Sequence, residues 1–246
     1  MERIEKLLAQ MVDAVQKGRP EIAVSLAAGI DDSVEYAPLS HVLGVAHAMQ
    51  GQLQPALSHL EKASVLNPKE VQYLIDCANV LVRQNQHARA IVFWDKALEI
   101  VHDDIGLWHN KSQSHIEMRD FESALESYRS ALAIAPEHLD LWCNFAGILK
   151  RAGRPSESLD AWQKALVLNP ESAGALAGMG AIKLDQEQYP EARQLLQKAI
   201  QIDSDSFEAR GNLTLVAIGE SKFDEAMDHF KVQPEPWRVS VQGTEI

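Results

Sequence analysis

A period of 34 residues runs through most of this chain, and it limits the chain to a repeat architecture. Small residues recur at this spacing at Ala56, Ala90, Ala124, Ser158, Ala192 and Ala226. Seven positions after the first five of them stand Ala63, Ala97, Ala131, Ala165 and Ala199. A period of this length is typical of a helix–turn–helix unit that stacks on its neighbours. The sequence therefore predicts an all-α solenoid, which has an open groove and no enclosed active site.

The residue types at each repeat position indicate how the helices of a unit pack. Small side chains at positions 8, 20 and 27 let two helix backbones approach closely, and large side chains at positions 4, 7, 11 and 24 fill the space between helices. Proline at the start of a second helix costs little, because that N–H has no helical partner. The prolines at such places are Pro20, Pro55, Pro155 and Pro190.

These residues resemble the signature of the tetratricopeptide repeat (TPR) family, which has Trp at position 4, Leu-Gly at positions 7–8 and an aromatic residue at position 24. The matching residues are Trp108 and Trp142 at position 4, Leu43-Gly44 and Met179-Gly180 at positions 7–8, and Trp94, Tyr128 and Trp162 at position 24. The resemblance implies a right-handed α-solenoid, or superhelix. In that family, the first helix of each unit (helix A) lines a concave face, and the second (helix B) mostly lines the convex face.

The register predicts a TPR array over residues 1–231 and a C-terminal tail over residues 232–246. The predicted units are 4–36, 37–70, 71–104, 105–138, 139–172, 173–206 and a partial unit at 207–231. In the tail, Trp237, Val239 and Val241 alternate with polar residues, which is a strand-like pattern. We expect the tail to cap the last apolar face. The alternatives are a tail that stays unfolded, adds a strand to a partner or enters the groove of a second copy, which would give self-association.

Charge and composition argue against several classes of function. The formal net charge is −12, which argues against a nucleic-acid partner, because phosphate binding needs a basic face. No apolar run approaches the ~18 residues of a membrane span, so membrane insertion is not expected. Two cysteines are too few for a disulfide framework, and we expect a protein of the reducing cytoplasm.

Position 6 of helix A would point into the groove, and its residues suggest how a partner binds. Along the chain this column contains Val42, Asp76, Asn110, Asn144, Gly178 and Asn212. Three asparagines in one column resemble the asparagine ladder of TPR superhelices that hold extended peptides, as in the protein O-GlcNAc transferases. An amide side chain both donates and accepts, so it can bond a peptide backbone whatever its sequence. The alternative is that these asparagines are ordinary solvated repeat residues.

Other polar residues of the A helices complete the predicted peptide-binding site. Asn79 and Gln113 at position 9 would add a second row of amides. The full set of candidates is Asn79, His109, Asn110, Gln113, Asn144, Lys150, Arg151 and Asn212. The gap at Gly178 either admits a bulky partner residue or lets adjacent helices pack more closely. An apolar patch near Val42 and Met49 is either covered by the N-terminal unit or available to a partner.

No catalytic, cofactor or metal site is predicted. The nine histidines include no i, i+4 pair, and no CxxC occurs. Cys143 and His109 are both expected in the groove, but nothing in the sequence orients them as nucleophile and base. A clamp for the acidic tails of heat-shock chaperones needs cations at set groove positions. In the register from residue 71, those positions hold Ile75, Asp140 and Asn144 instead.

The sequence thus predicts a non-enzymatic scaffold or adaptor that binds an extended segment of a partner protein in the concave groove. One alternative is a substrate-recruiting subunit for an enzyme on another chain, of the glycosyltransferase or hydroxylase type, since TPR arrays often run into a catalytic domain. The other is a dedicated chaperone, which would need a larger exposed apolar groove than the polar middle units offer.

Overall fold

The computed structural model describes residues 2–30 and 35–231, and every regular element in these ranges is an α-helix. The all-α fold predicted from the period is therefore confirmed. Residues 232–246 lie outside the described part of the chain. A cap formed by Trp237 and self-association through the tail accordingly stay predictions.

The helices form two compact units, with the boundary between Ile134 and Ala135 in the sequence. The first unit contains α1 (Glu2–Gln16), α2 (Pro20–Ala27), α3 (Ala37–Met49), α4 (Leu53–Leu66), α5 (Val71–Arg83), α6 (His87–Ile100), α7 (Ile105–Glu117) and α8 (Phe121–Ile134). The second unit contains α9 (Leu139–Arg151), α10 (Pro155–Leu168), α11 (Ala173–Asp185), α12 (Tyr189–Ile202), α13 (Phe207–Gly219) and α14 (Phe223–Lys231).

Successive helices pack in pairs, and the pairs repeat every 34 residues. From α3 onward the A helices begin at residues 37, 71, 105, 139, 173 and 207, and each B helix begins 16 residues later. Within each unit, a B helix also packs against the A helix of the following pair. Each such B helix is therefore shared between two A helices, and the A helices form a neighbouring row.

One residue in each turn within a pair takes the left-handed conformation, with φ between 58° and 76°. These residues are Gly18, Gly51, Asn85, Arg119, Gly153, Glu187 and Ser221. Positive φ costs glycine nothing but strains a residue that carries a Cβ atom. Arg119 and Glu187 hold this strained conformation because the helices on either side pack together.

The recurring small residues lie where the two helices of a pair touch. All six residues of the first small column are buried. A Cβ atom added at Gly44 would lie 2.5 Å from Leu60 Cγ, so only glycine fits there without rearrangement. Where serine stands in this column, its buried hydroxyl finds a partner, since Ser158 Oγ donates to the Ala146 carbonyl at 2.7 Å.

Tryptophans at position 4 fix the loop that precedes their A helix. The Trp108 indole N–H donates to the His102 carbonyl at 3.2 Å, and the Trp142 indole N–H donates to the Pro136 carbonyl at 2.7 Å. Each bond joins a helix to a backbone group six residues earlier. The start of the helix, and with it the row of groove positions, is thereby held in place.

Candidate peptide-binding groove

Three predicted amide side chains of the first unit are exposed on successive A helices. Asn79 lies on α5, and Asn110 and Gln113 lie on α7. Both helices pack against α6, which makes them neighbours in the row of A helices. None of the three amide groups bonds another side chain or backbone group in the described part of the chain. Their donors and acceptors are therefore available to a ligand.

The fourth predicted residue of the first unit is held by the core. His109 is half-buried on α7, and its Nδ1 atom lies 2.6 Å from the Tyr128 hydroxyl on α8. The two rings meet edge to face with centroids 5.9 Å apart. This contact fixes the imidazole against its own helix pair, so a ligand would meet a rigid ring at this place.

A hydrogen-bonded cluster replaces the amide at position 6 of α5. Asp76 Oδ2 lies 2.7 Å from His41 Nε2 on α3, and Asp76 Oδ1 accepts a 3.0 Å hydrogen bond from the Gln72 amide. The His41 ring also packs against Tyr73 with centroids 4.5 Å apart. Both carboxylate oxygens of Asp76 are thus engaged within the chain, and the column of amides is interrupted at this helix.

The second unit places its predicted residues on α9 and α13. Asn144 and Arg151 on α9 are exposed, and Asn212 on α13 is half-buried. Lys150 Nζ lies 2.9 Å from Asp185 Oδ2 on α11, so this cation joins two A helices of the unit. Because α11 packs against both α9 and α13, one A helix separates the two asparagines.

The gap expected at Gly178 is filled by the chain itself. A Cβ atom added there would lie 2.4 Å from Cε2 and Cζ2 of Trp162 on α10. Ala177 and Ala181 on the same helix are buried. Of the two alternatives, the structure therefore has close helix packing, and no partner residue fits at this point. The sequence signal for the contact is an aromatic residue that stands 16 positions before the glycine.

The apolar patch near the start of the array is divided between core and surface. Val42 is buried in a cluster that includes Met11 and Ala14 of α1, so the N-terminal helices cover it. Met49, at the end of α3, remains exposed. Only the outer part of the patch is therefore open to a partner.

Neither cysteine is prepared for nucleophilic chemistry. Burial raises the pKa of Cys77 to about 12, and it also raises the pKa of Cys143, so both side chains are thiols at neutral pH. Among the described residues, no three His, Cys, Asp or Glu side chains form a group that would hold a metal ion. No helix in the described ranges is long and apolar enough to cross a membrane.

Sequence profiles of one family match two stretches of the chain. Both are described as tetratricopeptide repeat, and they cover residues 105–138 and 143–207. Among curated proteins, human protein O-mannosyl-transferase TMTC3 is 25% identical over 114 residues, which are 46% of this chain and 12% of that protein. The chain therefore matches a small part of this relative's length.

Solved structures share the arrangement of helix pairs. A tetratricopeptide repeat protein from Parabacteroides merdae is 18% identical, with a TM-score of 0.69 over 79% of this chain and 77% of that chain. YrrB, described as a TPR protein with an unusual peptide-binding site, is 21% identical, with a TM-score of 0.58 over 74% of this chain and 94% of that chain. MamA is 15% identical, with a TM-score of 0.58 over 66% and 95%. These likenesses concern the fold, and they confirm the predicted all-α solenoid.

Proposed function

Because the chain belongs to the tetratricopeptide repeat family, we propose that this protein-interaction scaffold binds an extended segment of a partner protein along its A helices. The family profiles and the neighbouring structures support the general role of a scaffold. The proposal assigns the main contacts to the exposed amides of the first unit, Asn79, Asn110 and Gln113.

The availability of these three amides is the observation that carries the proposal. An amide that has no partner within the protein can exchange its water for the C=O and N–H groups of a peptide. Packed helices lie about 10 Å apart and an extended chain rises about 3.3 Å per residue. Amides on successive A helices would therefore meet roughly every third residue of the bound segment.

The second unit supplies fewer contacts of this kind. Asn144 and Asn212 lie on the A helices before and after that of Gly178, where the Trp162 ring fills the space beside the glycine. Arg151 adds a positive charge on α9. We assign this unit supporting contacts to polar or acidic residues of the partner. YrrB, a protein of the same fold, is described as having a peptide-binding site, which supports this mode of binding by analogy.

Selection of peptides on the full chain provides the test. A random phage-displayed peptide library supplies a binder, which is labelled with fluorescein and titrated by anisotropy. The Asn110→Ala/Gln113→Ala variant removes two hydrogen bonds worth about 1 kcal/mol each, so it should bind about 30-fold more weakly. The same peptide with N-methylated backbone amides should also bind weakly, because recognition is through the backbone.

A matched control removes two exposed amides outside the A helices of the same unit. Gln54→Ala/Asn67→Ala changes one residue of α4 and one of the following turn, and it should bind the peptide like the wild-type chain. If the Asn110→Ala/Gln113→Ala variant also keeps wild-type affinity, the peptide lies elsewhere and the amide proposal is wrong.

A second function is favoured by the match to the human mannosyl-transferase. In this version the chain, itself without catalytic activity, brings substrates to a glycosyltransferase on another chain. Capture from native lysate would separate the two functions. If the chain is a recruiting subunit, the wild-type chain and the Asn110→Ala/Gln113→Ala variant should both capture the transferase. Only the wild-type chain should capture the acceptor proteins.

A cytoplasmic location stays a prediction.

A further inference from the structure

Two exposed surfaces occupy places in the repeat register that are filled elsewhere in the array. The first, which we call the N-terminal groove, is an open groove of about 640 Å³ along α1 and α2. Its lining includes Lys6, Ala9, Lys17, Arg19, Ile22 and Leu26. The second, which we call the C-terminal face, consists of Ile218, Phe223 and Met227 on α13 and α14. These three side chains are 47%, 63% and 53% exposed.

An ion-pair cluster shows which residues of the first surface would receive a preceding B helix. Arg193 on α12 bonds Glu220 at 2.6 Å and also bonds Glu225, both in the following pair. Glu220 stands one residue before the positive-φ residue of its turn, and Glu225 stands four residues after it. In the first pair the same two places are held by Lys17 and Ile22, which both line the N-terminal groove.

A second contact leads to the same surface. Trp162 on α10 covers Gly178 of the following A helix, which stands nine residues before the positive-φ residue Glu187. In the first pair the residue at this place is Ala9, which also lines the N-terminal groove. The lining of the groove therefore includes three places, those of Ala9, Lys17 and Ile22, that inside the array accept the B helix of the preceding pair.

The C-terminal face consists of the complementary places on the other side of such a contact. Met227 stands 34 residues after Arg193. Phe223 stands 34 residues after Tyr189, whose ring lies against Gly219 of the following A helix, 2.4 Å from an added Cβ atom. In the described residues no further A helix follows α14, so these apolar side chains are exposed.

We propose that α14 of a second copy of this chain occupies the N-terminal groove, so that copies continue the repeat head to tail. In this arrangement Met227 of one copy packs on Ile22 and on the aliphatic stem of Lys17 of the next copy. Phe223 packs on the α1 residue at the place of Gly219, which is Gln16. The two surfaces meet at the same register positions as neighbouring pairs inside the array, with apolar packing in place of the ion pairs of Arg193.

Charge distinguishes a second copy from other occupants. The N-terminal groove is lined by three basic residues, Lys6, Lys17 and Arg19, and by one acidic residue, Asp13. The acidic residues of α14 are Asp224, Asp228 and Glu225, and the last of these already bonds Arg193 of its own chain. A chain with a net charge of −12 repels its own copies in general, so a basic surface facing an acidic helix favours this one contact over others. The bridge from Lys17 to Asp13, 2.8 Å long and exposed, competes weakly.

The contact joins two different surfaces and is therefore heterologous. Such a contact builds open chains or closed rings, whereas a two-fold dimer uses the same surface twice. This difference gives the experiment a readout that ordinary dimerisation does not share.

Sedimentation velocity of the full chain over a range of concentrations tests the proposal. The wild-type chain should grow beyond the dimer with concentration. Ile22→Glu and Met227→Lys should each remain monomeric with a wild-type circular dichroism spectrum, because both positions are exposed. Lys17→Glu, a milder change, should weaken association at least about tenfold. An equimolar mixture of Ile22→Glu and Met227→Lys should recover association beyond the dimer, since each variant keeps one intact surface and the two new charges would face each other as Glu225 and Arg193 do inside the array.

Matched controls place the same charges on exposed apolar residues elsewhere. Val65→Glu and Val167→Lys, at positions 77% and 70% exposed, should associate like the wild-type chain. A wild-type chain that stays monomeric, or a dimer that does not grow, overturns the proposal. The proposal is also overturned if the wild-type chain stays monomeric and the Trp237→Ser variant of the full chain associates. The tail, and not a second copy, would then be the occupant of the C-terminal face.

Discussion

Replacing Gly178 with alanine tests the packing that closes the groove at α11. Two opposing effects decide the outcome. Alanine in the middle of a helix is favoured over glycine by about 1 kcal/mol. The new Cβ atom, however, would lie 2.4 Å from two ring carbons of Trp162, whereas ordinary contacts begin at 3.4 Å. The indole must therefore retreat by about 1 Å.

The steric effect should be the larger one. Overpacking a well-filled site costs about 1–3 kcal/mol, so Gly178→Ala should lose between about 0 and 2 kcal/mol after the gain in helix propensity. Gly147→Ala is the matched control, because Gly147 lies in the middle of α9 with no atom within 4 Å of an added Cβ. That variant should gain about 1 kcal/mol. The difference between the two variants, about 1–3 kcal/mol, isolates the contact with Trp162.

Urea unfolding followed by circular dichroism and tryptophan fluorescence measures this difference. The slopes of the transitions should be compared first, because repeat arrays can lose cooperativity. Adding Trp162→Leu to Gly178→Ala should recover part of the loss, since the two residues are in contact and their effects are not additive. If both glycine variants gain equal stability, the Trp162 ring does not lie on Gly178 and the account of the closed gap fails.

Two further predictions concern a turn and a half-buried histidine. Glu187→Gly should stabilise the chain by about 0.5–1 kcal/mol, because glycine adopts the positive φ of this turn without strain. The control Gln186→Gly, at the neighbouring residue with φ −88°, should destabilise the chain. Equal shifts of the melting temperature in the two variants would contradict this prediction. Burial lowers the pKa of His115 in the folded chain below its ordinary 6.5, even though the adjacent Asp120 acts in the opposite direction. As the pH falls, the unfolded chain therefore binds the proton first. The free energy of unfolding should decrease from about pH 6.5 down to the lower pKa of the folded chain. In the His115→Gln variant, the urea midpoint should change less with pH across that window than in the wild-type chain. If it changes equally in both, another group is responsible for the pH dependence.

The repeat period predicted the fold because it reports packing. Positions such as 8 and 20 admit small residues where helix backbones touch, and this requirement recurs with every pair whatever the function. Gly44 illustrates it, since Leu60 leaves no space for a side chain. Such constraints are local and periodic, so a single sequence displays them.

The groove was harder to predict because its side chains are not fixed by the same packing. Asp76 stands at the same repeat position as the asparagines, and the sequence does not show that it bonds His41 of the preceding pair, 35 residues away. Gly178 appeared as a gap, but Trp162 of the preceding B helix fills it. Both outcomes depend on contacts between pairs. A column of residues taken at one position contains no information about them.

The proposed peptide site and the proposed contact between copies use different residues, so each can fail without the other. Asn110→Ala/Gln113→Ala changes α7 and leaves the N-terminal groove intact, while Ile22→Glu changes α2 and leaves the amides intact. If both proposals hold, one assembly presents several identical amide patches. A partner with repeated binding segments would then bind the assembly more tightly than the monomer without any new contact, through effective concentration. The Ile22→Glu variant should lose this gain while keeping the affinity for a single peptide, because it leaves the proposed peptide-binding residues of the A helices unchanged.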